Sequence, residues 1–280
     1  MYHFGVCTEE IVRPSVGEMF AAMREYGFVS AQFTFESMCG ELLPLEIRPE
    51  WIAEIDCERR KYGIDLASLN GTFNMLASGA ELERGLAGFA NVVRSAPALG
   101  AKLITLCTGT RSSEGMWIYH RDNALPDAYA DLCRTMEKLL PMAHDAGVCL
   151  GIEIEASNVI DTPEKARRIL REMGSDHLKI IMDCANLFHC GDARRDRVRD
   201  IMAHAFELVG GEVMIAHAKD ILETDGICFT YAGNGIIDFT YFADLLDEIG
   251  YQGDMLIHGT KSEAQLTRAI ENLRALGRYA

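Results

Sequence analysis

The 280-residue chain predicts an α/β fold, a single (β/α)8 TIM barrel, on three observations. Amphipathic stretches alternate with short β-rich runs, a glycine repeatedly separates each stretch from the run after it, and eight such runs in this length match about one barrel. The glycine falls just past each expected helix, where its backbone takes the left-handed conformation at little cost.

The runs follow in order. Tyr2-His3-Phe4-Gly5-Val6-Cys7 opens the chain, and Gly27 introduces Phe28-Val29-Ser30-Ala31-Gln32-Phe33. Gly63 introduces Ile64-Asp65-Leu66-Ala67-Ser68-Leu69, Gly100 introduces Ala101-Lys102-Leu103-Ile104-Thr105-Leu106, and Gly147 introduces Val148-Cys149-Leu150-Gly151-Ile152-Glu153. Leu178 to Asp183, Val213 to His217 and Gly253 to His258 complete the set. Thr162-Pro163-Glu164 sets a capping hydroxyl, an N1 proline and an early acid in order, and the last helix is expected from Ser262 to Arg278. A doubly wound open sheet is the alternative, but it usually has fewer strands and often a glycine-rich phosphate loop after its first strand; Cys7-Thr8-Glu9-Glu10 is no such loop. No linker or low-complexity tract divides residues 1–280, so one domain is expected. The longest irregular stretch, Cys107 to Ala124, reads as a lid or binding loop or as a plain surface excursion.

Composition narrows the function. With 49% hydrophobic and 25% charged residues and 7 prolines, the chain is no disordered regulator. A chain this long buries roughly 75% of its unfolded surface and needs no structural metal, so a bound metal is expected to be functional. Lys+Arg 27 against Asp+Glu 42 gives a net charge of −15, which disfavours nucleic acid as a partner. The 9 cysteines are an odd number with no Cys-x-x-Cys pair, which reads as free thiols in a reducing compartment. Met1 to Glu10 hold no signal-peptide pattern, and no run of about 18 apolar residues exists. A cytoplasmic protein without membrane contact is expected.

Barrel enzymes place their chemistry where strands end at the C-terminal face. Here the third run ends at Asn70, the fourth passes into Thr108, the fifth ends in Glu153 and Glu155, the sixth in Asp183, the seventh in His217 and the eighth in His258. Period two sets Glu153 and Glu155 on one face, roughly 6.6 Å apart, where they repel by about 2.5 kcal/mol at an effective dielectric of 20. A divalent cation bound with Asp183 and the two histidines offsets that repulsion and suits an oxygen and nitrogen donor set. The alternative is that Glu155 already points to solvent.

The segments Leu150-Gly151-Ile152-Glu153, Ile181-Met182-Asp183-Cys184-Ala185-Asn186, His217-Ala218-Lys219-Asp220 and Gly233-Asn234-Gly235-Ile236-Ile237-Asp238 resemble, in order, the sugar phosphate isomerase/epimerase superfamily of xylose isomerase-like TIM barrels. The resemblance implies one divalent ion, Mn, Co, Fe, Zn or Mg, on Glu153, Asp183 and His217. A glutamate is common at the fourth ligand position, where this chain has His258. The paired-glutamate epimerase mechanism therefore does not carry over intact. Asn186 stands where such epimerases often have a substrate-binding histidine, and His189 three residues on is either its stand-in or a surface residue.

These readings lead to a metal-dependent isomerase or epimerase acting on a small carbohydrate or keto-polyol through an enediolate. Glu153 or Glu155 takes the α-proton, and His258 is a ligand or the second acid/base. Asn70, Trp117, Asn186, His189, Lys219 and Asp220 are the expected substrate contacts, with loop packing as the alternative for Trp117. A lyase on the same scaffold and a non-catalytic carbohydrate- or partner-binding barrel are the competing readings. An endonuclease, also known in this superfamily, is disfavoured by the acidic balance and the few rim histidines. Relatives often assemble as dimers or tetramers, yet no stripe in this chain marks such a face.

Overall fold

Runs that are apolar on both faces must be covered on both sides, and a parallel sheet closed on itself and ringed by helices does this without leaving an edge. The computed structural model describes residues 1–280. Eight parallel strands form the barrel: β1 (Phe4–Cys7), β2 (Ser30–Phe33), β3 (Asp65–Asn70), β4 (Leu103–Leu106), β5 (Cys149–Glu153), β6 (Leu178–Asp183), β7 (Val213–Ile221) and β9 (Met255–Ile257). Neighbours pair in that order, and β9 closes the ring on β1. Around them run α1 (Val16–Tyr26), the single turn α2 (Glu36–Cys39), α3 (Pro49–Tyr62), α4 (Gly79–Leu99), α5 (Pro126–Ala146), α6 (Pro163–Met173), α7 (Val198–Val209), α8 (Phe239–Glu248) and α9 (Glu263–Ala275). No helix is long and apolar enough to cross a membrane.

All eight expected runs are barrel strands, and Gly27, Gly63, Gly100 and Gly147 end their helices with φ between 65° and 90°. Thr162 and Ser262 cap α6 and α9 by accepting from the Lys165 and Gln265 amides. Two features depart from expectation. β7 runs four residues past His217 to Ile221, and β8 (Phe229–Tyr231), which was not foreseen, pairs antiparallel with that extension. The extension carries Lys219 and Asp220 on regular strand rather than on a loop.

Inside the barrel, Leu103, Ile181, Ile215 and Leu256 pack as one layer. Side chains alternate along a strand, so the residues two positions on, Thr105, Asp183, His217 and His258, also face the interior, one level nearer the C-terminal rim. A register shift between Ala31 and Gln32 sets Gln32 opposite Ser68. These levels build the floor of the site.

The long loop after β4 is pinned. Asn158 accepts from the Gly109 amide at 2.6 Å and donates to the Met116 carbonyl, Asn123 bridges Thr110, the Arg111 amide and the Ser157 carbonyl, and Asn74 accepts from the Thr110 amide. Gly109 has φ 83°, and an added Cβ would meet Asn74 Oδ1 at 2.2 Å, so only glycine fits there.

Candidate active site

Glu153 Oε1 lies 3.7 Å from His217 Nδ1, and Asp183 Oδ2 lies 4.0 Å from the same nitrogen. The three residues offer donor atoms all within 4.8 Å of one another. His217 Nε2 is 3.2 Å from Gln32 Oε1, an acceptor, so a proton on Nε2 is satisfied there and Nδ1 is the nitrogen that would give up its proton for an ion. His217 Nδ1 is buried without a hydrogen-bond partner, and the buried Asp183 Oδ2 is met by the Lys219 ammonium at 3.1 Å. A buried, unpartnered imidazole nitrogen between two buried carboxylates is what a divalent cation satisfies, and two oxygens with one imidazole suit Mn, Fe, Co, Zn or Mg. The donor set fits an ion.

The cluster opens into a cavity of about 540 Å³ lined by Glu9, Gln32, Asn70, Thr72, Thr105, Cys107, Trp117, Glu153, Glu155, Ser157, Lys219, Phe229 and His258. Most of these lining residues are polar or charged, which suits a polyhydroxy ligand. Trp117 is 57% exposed and stands at the mouth. Glu155 is buried and turned into the cavity rather than to solvent. Lys219 lies between the acids, its Nζ 3.1 Å from Asp183 Oδ2 and 4.3 Å from the centre of the Phe229 ring.

The electrostatics separate the two glutamates. Burial works against the charge on Glu153, but His217, Lys219 and His258 together hold its carboxyl well below the usual range. Burial pushes Glu155 up to about 7, the pull of Lys219 being opposed by Glu153 and Asp183. Burial disfavours the charged form of Lys219, yet Asp183, Glu153 and Glu155 raise its pKa and keep it an ammonium. One carboxylate is thus fixed as an anion beside the ligating group, and its neighbour is poised to exchange a proton.

The structure brings Asn70, Trp117, Glu153, Glu155, Lys219 and His258 to one cavity, with Asp183 and His217 at its base. Asn186 is buried against the cluster and donates from Nδ2 to Glu153 Oε1 at 2.7 Å, so it aims that carboxylate. Asn186→Ala is expected to weaken divalent-ion binding about 10- to 100-fold, measured by calorimetric titration of metal-free protein. An unchanged affinity refutes the aiming role.

Two expected substrate contacts lie elsewhere. His189 hydrogen-bonds the Asp161 carbonyl at 3.0 Å, outside the cavity lining. Asp220 is fully buried, with Oδ1 accepting from Ile221 and Ile237 and Oδ2 from Gly233 and Gly235, so it has no oxygen left for a ligand. His258 also departs from the single four-ligand set. Its Nδ1 faces Glu10 at 3.5 Å and Glu9 at 3.8 Å, and it groups with Cys7 and Glu9 rather than with Asp183. Sequence reasoning missed Gln32 and Glu9. The same strand-end logic applied to the first run points to Glu9, whereas only the register shift reveals Gln32.

Fold and cluster define a class, a parallel (β/α)8 barrel with a carboxylate and imidazole site on its C-terminal rim. A family model described as xylose isomerase-like TIM barrel matches residues 20–279, and the chain belongs to that family. Inosose dehydratase of Histophilus somni (strain 129Pt) is 22% identical over 271 residues, covering 87% of each chain. The apo structure of 3-keto-D-glucoside 4-epimerase YcjR from E. coli superposes with a TM-score of 0.73 at 18% identity over 99% of each chain. A xylose isomerase-like TIM barrel protein from Mycobacterium smegmatis, solved in complex with magnesium, superposes at 0.70 and 16% identity over 98% of this chain and 94% of that one. Two of these relatives are named for reactions, one a dehydratase and one an epimerase.

Proposed function

We propose that the protein removes a proton next to the carbonyl of a small keto-polyol and then expels the neighbouring β-hydroxyl as water, a dehydratase-type elimination. The observation that supports this reading is the asymmetry of the acid and base groups in the cavity: Glu155 and His258 both line it, and His258 stands where the family commonly has the glutamate that pairs with the fifth-strand one in symmetric epimerases. Glu153, Asp183 and His217 would hold a divalent ion, which supplies Lewis-acid polarisation of the carbonyl when bound. Glu155 takes the α-proton, and the freed electron pair forms the carbon–carbon double bond as the β C–O bond breaks. The departing hydroxide recovers that proton from Glu155 and leaves as water, so one carboxyl serves both steps. Lys219, itself buried, presents a permanent positive charge to the oxygen where negative charge develops. Asn70 and Thr72 offer hydrogen bonds to substrate hydroxyls, and Trp117 offers an apolar face at the mouth. The similarity to inosose dehydratases points the same way.

Epimerisation is the second reading, favoured by His258, an imidazole in the same cavity as Glu155 and able to return a proton. Both readings begin with the same deprotonation. The test is a panel of keto-inositols and 3-keto-glycosides incubated with metal-loaded protein in deuterated water. A dehydrated, unsaturated product supports elimination. An epimer carrying one deuterium at the exchanged carbon overturns it in favour of epimerisation, and neither exchange nor turnover on any member overturns both.

A further inference from the structure

A second group of ligating atoms stands on the same rim. Cys7 ends β1, Glu9 sits in the short 3-10 turn Thr8–Glu10 that follows, and His258 comes just after β9. Cys7 Sγ, a Glu9 carboxylate oxygen and a His258 ring nitrogen all lie within 4.8 Å of one another. Register brings them together: Gly5 pairs with Leu256, so two residues on, Cys7 and His258 face inward at one level. His258 Nδ1 is buried without a hydrogen-bond partner and lies 3.8 Å from Glu9 Oε1. Glu10 is also near it, but its oxygens accept from the Gly259 and Thr260 amides and the Thr260 hydroxyl, which fixes Glu10 as a brace for the His258 segment.

The donors differ in kind from those of the Glu153 cluster. Sulfur, nitrogen and oxygen together suit zinc, whereas magnesium takes oxygen ligands. Tetrahedral zinc with bonds of about 2.0–2.3 Å sets its donors about 3.5 Å apart, close to the separation of His258 and Glu9. Charge points the same way. Glu9, Glu10, Glu153, Glu155 and Asp183 surround the rim with Lys219 as the only permanent cation among them, so one divalent ion still leaves an excess of negative charge.

We propose that Cys7, Glu9 and His258 form a second, zinc-type site beside the Glu153, Asp183 and His217 cluster, with a fourth position open to the cavity. Binding exchanges the Cys7 thiol proton to solvent for the metal, with no change of oxidation state. The site does not rest on the elimination reading. The test titrates the full-length metal-free protein with cobalt(II) alone, followed by elemental analysis and absorbance. Two cobalt ions per chain and a near-ultraviolet thiolate-to-cobalt band are expected. Cys7→Ser is expected to lose the band and one ion, while Asp183→Asn loses the other ion and keeps the band. A wild-type protein without the band, or a Cys7→Ser protein that retains it, overturns the proposal. Should Cys7→Ser fail to fold by circular dichroism, His258→Gln decides: cobalt affinity read from the band is expected to fall at least tenfold, and unchanged affinity overturns the site.

Discussion

Glu155→Gln is expected to lower kcat by about 10²- to 10⁴-fold while the protein still binds its ion at the Glu153 cluster. Glutamine keeps the size and burial of the side chain but cannot take a proton. Asp183→Asn is expected to do the reverse, weakening ion binding by more than about 100-fold, the upper end of what loss of an outer hydrogen-bond partner costs. Its Oδ2 lies 4.0 Å from His217 Nδ1, and an amide there presents a weaker donor or an N–H to the ion. The pair is checked by kinetics on the substrate found in the panel and by calorimetric metal titration of each variant. Loss of ion binding in Glu155→Gln, or full retention in Asp183→Asn, contradicts the division of labour between the two acids.

Asp220→Ala is expected to destabilise the fold by about 3–5 kcal/mol, a large share of the roughly 5–15 kcal/mol that holds a typical domain. The carboxylate accepts four backbone N–H groups, from Ile221, Gly233, Gly235 and Ile237, at 2.8–3.0 Å. Alanine strands all four donors, those of Ile221 and Ile237 in a buried setting and those of Gly233 and Gly235 in a partly buried one. An added Cβ on Gly235 would meet the Ile221 carbonyl at 2.2 Å and Asp220 Oδ1 at 2.3 Å, so the loop approaches this close only as glycine. Asp220→Asn is expected to be destabilising too, because its amide N–H₂ would face either Gly233 and Gly235 or Ile221 and Ile237. Urea unfolding of the three proteins measures this, and a loss below 1 kcal/mol in Asp220→Ala rules out the clasp. The spacing Lys-Asp followed by Gly-x-Gly-x-x-Asp thereby gains a physical meaning. Asp220 gathers the glycine loop, Asp238 caps α8 by accepting from the Tyr241 amide at 3.0 Å, and Lys219 is held beside Asp183.

The barrel was legible because its signals are local. Glycine after each helix and apolar runs of strand length are written within a few residues of each other, and the eight runs lie where those signals set them. Strand-end reasoning likewise pointed to Glu153, Asp183 and His217, whose donor atoms lie within 4.8 Å of one another, since alternation along one strand fixes which face a side chain takes. The hairpin β8 escaped it because Phe229–Tyr231 is too short to signal a strand without its partner in β7.

Residue type and spacing alone determined the fold, its acidic surface, and which strands carry acids and imidazoles to one rim. Tertiary structure alone decided which of those groups meet. It turned Glu155 into the cavity and moved Asp220 from ligand contact to loop clasp. It also set His258 against Cys7 and Glu9 from the far end of the chain. The reason is that a strand's own sequence fixes the direction of its side chains, whereas register and ring closure fix their distance from groups on other strands, and both depend on every strand at once.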